Sequence, residues 1–412
     1  MSSNEPQALN VAFDLGRHIA ETALWHQECC TWMGAMPEEG PGGAPTMTYR
    51  SLDADLYGGT AGVGLFLAEI AHYTGDAILR RAAVGAFRHC LLHAERKRSA
   101  MGHGFYAGRA GVCYALCRAA TLLNAPEFAD AAHSLLREPI AALAELSVVE
   151  CDLMSGVAGT LAGLLKLARM LDDSDLRQTA ITLGRELLEH GREQADGIGW
   201  PSAVIMGNPA LLGYSHGASG VATALLALEE VTRDCCFASA ARKALAFERS
   251  HYDAHARNWP DLRQAAASRG APAVFSTYWC HGAPGVALGR LQALRRREDD
   301  GAREEAVIAL STTAEAVRSG LRAKHSNFSL CHGLCGNAEI LREGSELLRA
   351  EDRELDAEVA AEGIRRFSKR PSSWACGALG GATPGLFLGL AGIGHFYLRR
   401  YFPEVPSVLR VA

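Results

Sequence analysis

Seven times along this chain, two glycines three residues apart open an apolar run: Gly59/Gly62, Gly108/Gly111, Gly156/Gly159, Gly217/Gly220, Gly282/Gly285, Gly333/Gly336 and Gly389/Gly392. Successive first glycines are separated by 49, 48, 61, 65, 51 and 56 residues. A single pair of this kind carries no information. Seven at similar intervals mark a repeat, in which a unit that cannot bury its own apolar face stacks against its neighbours.

Each interval has room for two helices. Directly after the glycines come runs with few charges, such as "VGLFLAEIA", "VCYALCRAA" and "TLAGLLKLA". Between them lie charge-rich stretches such as "LRQTAITLGRELLEHGREQ" and "AREEAVIALSTTAEAVRSGLRA", with apolar residues at i, i+3, i+4 and i+7. The first kind reads as inner helices and the second as outer ones. The expected fold is therefore all-α: an α/α toroid of about seven outer/inner helix repeats, forming one domain across residues 1–412. Glycine at these turns lets the backbone bend sharply and lets helix starts approach closely. It also leaves amide N–H groups uncovered at helix N-termini, whose partial positive charge would face one central cavity and favour thiolates and developing oxyanions.

Composition narrows the partners. A formal net charge of −5 provides no basic field for nucleic acid or an anionic membrane surface. The start, "MSSNEPQALNVAFDLGRHIAETALW", is acidic and amphipathic where a signal peptide needs a basic start and an unbroken apolar core. The expected compartment is the cytoplasm, and the twelve cysteines are expected as thiols rather than a disulfide framework. Two long uncharged stretches, 197–228 and 371–398, are broken by glycine and proline and contain the repeat motif, so a membrane-spanning reading is rejected.

Aligning the seven units on their first glycine exposes where the chemistry changes. The residue before it is Gly58, Ala107, Ser155, His216, His281, His332 or Leu388, and one residue earlier stand Tyr57, Tyr106, Met154, Ser215, Cys280, Cys331 and Phe387. Units four to six thus write Ser-His, Cys-His and Cys-His where the others carry small or apolar residues. Cys280, Cys331 and His332 make a donor set suited to a tetrahedral Zn²⁺ with three protein ligands and an open fourth position. Such a site exists only if the toroid joins two cysteines 51 residues apart. Cys335 and Cys376 compete as ligands, whereas Cys90, Cys113, Cys117, Cys235 and Cys236 read as small packing residues.

His216 shares the cavity-facing register and is an acid/base candidate rather than a packing residue. His281 holds the same register, and proton donor, substrate contact and prop all remain open for it. Asp152, four residues before Gly156, orients His216, holds the substrate or merely caps helix amides, as Asp55 would in the matching position of unit one.

At these residues the chain resembles the LanC-like lanthionine cyclases, and most closely the carboxy-terminal cyclase domain of class II lanthipeptide synthetases. The likeness runs through "DLMSGVAG", "GYSHGASG", "WCHGAPG", "LCHGLCGN", "ERSHYDAHARNWPDLR" and the terminal "GLFLGLAGIG". The resemblance implies an α/α toroid with one zinc held by Cys280, Cys331 and His332, an acid/base role for His216, and a functional Asp152. His281 stands where some members carry tyrosine, and Ser276 stands where free-standing members carry an arginine before the first zinc cysteine. The implied reaction adds a peptide cysteine thiol to dehydroalanine or dehydrobutyrine, closing a thioether ring.

The partners implied are a dehydrated precursor peptide with its leader, a separate dehydratase if the chain is free-standing, and an exporter complex that would bring the protein to the membrane periphery. No nucleic-acid partner is expected. Two other functions use the same features: conjugation of glutathione or another free thiol to dehydroamino acids, and a non-catalytic peptide-binding scaffold. Prenyltransferase β-subunits share a toroid and zinc-activated thiol chemistry, but not the seven turns.

Overall fold

A computed structural model describes residues 5–39, 45–96, 101–137, 150–203, 205, 207–263, 272–348, 352 and 354–411. Six inner helices follow the first six glycine turns: α2 (Thr60–Thr74), α4 (Arg109–Leu122), α6 (Val157–Leu171), α8 (Ala218–Thr232), α10 (Ala283–Arg296) and α12 (Leu334–Leu348). Each packs against the outer helix that follows it: α3 (Ala77–Arg96), α5 (Glu127–Arg137), α7 (Ser174–His190), α9 (Cys235–Arg249), α11 (Asp300–Arg322) and α13 (Glu354–Phe367). The seventh inner helix, α14 (Leu390–Tyr401), packs against α1 (Glu5–Glu21), so the chain's first helix completes its last unit. Inner neighbours touch in order from α2 round to α14, and α14 returns to α2. The fold is an α/α toroid.

The inner helices are buried nearly all round, which is why their sequences lack the amphipathic stripe of the outer ones. Some charges are nevertheless internal. Arg290 on α10, wholly buried, pairs with Glu248 of α9 at 2.6 Å and Glu305 of α11 at 2.5 Å. Removing one partner would leave a buried charge uncompensated, at about 3–5 kcal/mol.

The glycine turns work by space more than by dihedral freedom. Among the seven first glycines only Gly282 has a positive φ, +81°. A Cβ on any of the seven second glycines would run into the carbonyl at the start of its own turn: Leu56, Phe105, Leu153, Tyr214, Trp279, Leu330 or Leu386. That close approach brings the turns into a belt of backbone hydrogen bonds around the ring axis. Tyr57 N–H donates to Tyr106 O (2.9 Å), Tyr106 to Met154 (3.1 Å), Met154 to Ser215 (3.0 Å), Ser215 to Cys280 (3.4 Å), Cys331 to Phe387 (2.8 Å), and Phe387 back to Tyr57 (2.9 Å). At the remaining step the donor to Cys331 O is Trp279, one residue early, at 2.9 Å. The belt slips by one residue at Cys280, beside the one turn whose glycine needs a positive φ.

Below the belt lies an aromatic floor in which Trp279 meets Tyr106, Tyr214 and Phe387 at ring separations of 5.0, 5.8 and 4.8 Å. The carboxy-terminal segment packs beneath it: Val405, Val408, Leu409 and Val411 are buried, and Trp279 Nε1 donates to Leu409 O at 2.9 Å. Three two-stranded antiparallel hairpins decorate the toroid: β1 (Leu24–His26) with β2 (Cys29–Thr31), β3 (Met33–Glu39) with β4 (Pro45–Ser51), and β5 (Arg192–Gln194) with β6 (Gly197–Gly199). Helical periodicity gave no sign of them. Among the described residues no helix is long and apolar enough to cross a membrane.

Candidate metal centre

Cys280 ends the turn into α10, while Cys331 and His332 lie in the next turn, into α12. Adjacent turns of one belt are side by side, so the 51 residues between the cysteines collapse to a local contact. The sulfurs of Cys280 and Cys331 and a ring nitrogen of His332 all lie within 4.8 Å of one another, the one such cluster of three His, Cys, Asp or Glu groups among the described residues. Cys280 is 5% exposed and Cys331 fully buried, while His332 is half-buried against the ring of Tyr278 at 4.8 Å. Cys335 and Cys376 stand apart from the cluster. Cys335 is buried near Glu339 and Asp356, and Cys376 Sγ donates to Thr383 O at 3.9 Å. All twelve cysteines are free thiols.

The electrostatics suit a cation. Cys280 is held far below the ordinary thiol range by a hydrogen bond from Cys331; burial opposes this, and His332 and His281 add to it. Cys331 is pushed far up by burial, then by its bond to Cys280 and the charge there. The pair thus favours negative charge on one sulfur, which a soft divalent ion would complement. The nearby Tyr57 hydroxyl and Cys280 amide partly offset the rise at Cys331. That amide is the one the slipped belt leaves over. Two cysteine sulfurs and one imidazole, converging with His332 only half-buried, are a donor set that suits zinc. The residues present therefore fit the ion.

His216 and Asp152 meet on the same rim. His216 Nδ1 lies 2.5 Å from Asp152 Oδ2, while Asp152 Oδ1 accepts the amides of Ser155 at 2.8 Å and Gly156 at 2.7 Å. The carboxylate both caps the helix and holds the imidazole, one oxygen for each task. Burial disfavours the His216 cation, but the Asp152 bond and charge, with the Cys280 charge, outweigh it and raise its pKa above 6.5. His281 is different: burial drives it down to about 4, so the ring is neutral. It is 2% exposed, its Nε2 has no hydrogen-bond partner among the described residues, and it stacks against His216 at 5.7 Å and 15°. Ser276 contributes only its carbonyl, which accepts from Asn258 Nδ2 at 3.0 Å, while Asn258 Oδ1 caps α10 through Ala283 N–H at 2.8 Å.

Residues 50–410 match the family described as "Lanthionine synthetase C-like protein". The chain belongs to the lanthionine synthetase C-like family. A curated relative, the lacticin 481/lactococcin biosynthesis protein LcnDR2 of Lactococcus lactis subsp. lactis, is 22% identical over 366 residues, covering 85% of this chain and 36% of the relative. The chain thus spans about a third of that relative's length. Among solved structures, nisin cyclase superposes with a TM-score of 0.64 at 17% identity, covering 85% of this chain and 89% of that one. A GH76 α-mannanase from Bacteroides thetaiotaomicron reaches 0.52 at 10% identity over 96% of each chain. The toroid is therefore common to proteins of unlike chemistry, and the fold alone does not single out a function.

Two features of the site escaped the motif alignment. Tyr57 stood at the right register but carried no motif of its own. Arg263, bound to buried Asp261, lies outside the repeat altogether.

Proposed function

We propose that this protein is a zinc-dependent cyclase, a single domain over residues 1–412, that joins cysteine thiols to dehydroalanine or dehydrobutyrine within a dehydrated precursor peptide. The observation that carries the reading is the convergence of Cys280, Cys331 and His332 within 4.8 Å, in a chain of this family. These three residues would hold the zinc. Bound there, zinc supplies Lewis acidity that makes a thiol, with a free pKa of about 8.5, a thiolate near neutral pH.

The chain's own groups supply the rest. His216 is held by Asp152 through Nδ1, which leaves Nε2 for proton transfer. When the ring is protonated, Nε2 donates to the α-carbon once the carbon–sulfur bond has formed; when it is neutral, Nε2 accepts the thiol proton first. His281, neutral and buried beneath the His216 ring, holds that ring in place. Helix N-termini along the belt stabilise negative charge that develops on the substrate carbonyl. The peptide arrives already dehydrated by a dehydratase activity.

The test is to incubate zinc-loaded protein with a dehydrated, cysteine-containing peptide and then alkylate free thiols before mass spectrometry. Cyclisation leaves the peptide mass unchanged and removes an alkylatable thiol. A thiol that stays fully alkylatable contradicts the reading, and a mass gain when glutathione is added instead points to intermolecular conjugation.

A further inference from the structure

Arg263 is built into the rim in a way that its position in the sequence does not advertise. Its Nε donates to Asp261 Oδ1 at 3.0 Å and its Nη2 to Oδ2 at 2.6 Å, a two-pronged clasp. Asp261 is 4% exposed, and its own amide is anchored to Val274 O at 2.8 Å. The same stretch is fastened to the metal-ligand turn by Asn258, which bonds both Ser276 O and Ala283 N–H. The guanidinium's plane is therefore fixed by a buried carboxylate on an element bonded to the Cys280 turn. Its side chain is 39% exposed, and Nη1 carries no hydrogen bond among the described residues. The charge also acts on the sulfurs of Cys280 and Cys331 and on the rings of His216 and His281, in keeping with the tether of this stretch to the Cys280 turn.

An arginine held this way cannot lose its proton at working pH, so it is no acid or base. What remains is an oriented pair of N–H donors on a stretch bonded to the Cys280 turn. We propose that Arg263 is a catalytic residue that donates through Nη1 to the carbonyl oxygen of the dehydroamino acid only as negative charge develops there, and so stabilises the enolate. This rests on the cyclase reading above. As the thiolate sulfur forms its bond to the β-carbon, the C=C π pair moves through the α-carbon onto that oxygen. The enolate then collapses as the α-carbon takes the proton carried by His216, and Arg263 gives up no proton at any point. Asp261 is a positioning residue: it acts by fixing the guanidinium.

The experiment compares wild type, Arg263→Lys, Arg263→Gln and the double variant Asp261→Asn/Arg263→Gln, which leaves no buried carboxylate unpaired. Zinc content, single-turnover ring closure of a dehydroalanine- and cysteine-containing peptide, and affinity for the same peptide with alanine in place of dehydroalanine are measured for each. Losing one oxyanion donor predicts a fall of about 10²–10³ in the single-turnover rate for both glutamine-containing variants, with a smaller loss for Arg263→Lys. Zinc stoichiometry and affinity for the alanine peptide should stay as in wild type. Rates within about threefold of wild type in the double variant, or a loss that tracks zinc content or alanine-peptide affinity, overturn the assignment while leaving the cyclase reading intact. A wild type that closes no ring overturns both.

Discussion

Units one and three of the toroid carry the same carboxylate in the same place, yet only one of them has a partner. Asp55 Oδ1 accepts the amides of Gly58 and Gly59 at 2.8 and 3.3 Å, just as Asp152 Oδ1 accepts those of Ser155 and Gly156. The difference lies in the next unit. The residue before the first glycine is His216 in unit four, beside Asp152, and Ala107 in unit two, beside Asp55. Without a cation opposite, burial holds the Asp55 carboxyl above its ordinary range despite the amides of Gly58 and Gly59. A helix-capping carboxylate thus becomes part of a carboxylate–imidazole pair through one change in its neighbour, and the same repeat register explains why units four to six hold every candidate catalytic or metal-ligating group aligned by the repeat except Asp152.

The largest effect that separates the two sides of the ring is expected at the sulfurs. Cys331→Ala should take the protein from one bound zinc per chain to none and abolish ring closure, whereas Cys113→Ala, a buried cysteine outside the cluster, should keep its metal; elemental analysis reads both. Next comes His216→Asn, which should retain zinc and lower the rate by about 10²–10⁴, the usual worth of a positioned acid/base group. Undiminished turnover by this variant would remove His216 from the chemistry.

The paired carboxylates give the sharpest contrast at smaller amplitude. Asp152→Asn should slow turnover by roughly 10–100-fold, as loss of an orienting partner does. It should also move the alkaline limb of the pH–rate profile to lower pH. The sign follows from the pair: its ionic contribution is fully present below the free imidazole value of 6.5 and is lost as pH rises through the raised pKa of His216, which Asp152→Asn brings down. Asp55→Ala should cost about 1 kcal/mol of stability, the value of a helix cap, and leave rate and pH profile unchanged. The smallest effect is the most constructive: Ala107→His should place an imidazole opposite Asp55, with a pKa above 6.5 by NMR titration and no gain in rate, because no metal ligands adjoin it. An Ala107→His imidazole that titrates as a free side chain would show that the two registers are not equivalent.

Much of this was legible because the repeat writes its register into the chain. Seven glycine pairs define the inner helices, and the residue two before each first glycine names the belt position, so Cys280 and Cys331 could be placed side by side without a structure. Closure of the ring was not legible in the same way. Nothing local in residues 5–21 says that this helix serves as the outer partner of α14, because that pairing is decided by what surface the far end of the chain leaves open. The hairpins before Thr60 escaped because three-residue strands are too short to show alternation, and β3 carries a glycine and a proline. The belt slip at Trp279 needs the positive φ of Gly282, which a glycine in a row of glycines cannot announce. Asp152 was balanced between capping and catalysis on sequence grounds because its two oxygens do both. Arg263 lies in a stretch with no counterpart in other units, so no register pointed to it.

The central claim is that Cys280, Cys331 and His332 hold one cation with a position left for a thiol, and cobalt substitution tests it most directly. One Co²⁺ per chain should give a tetrahedral visible spectrum with sulfur-to-cobalt charge transfer, and a cysteine-containing peptide should strengthen that charge transfer as a third sulfur joins. Absence of stoichiometric binding, or a spectrum indifferent to the peptide thiol, would contradict the account.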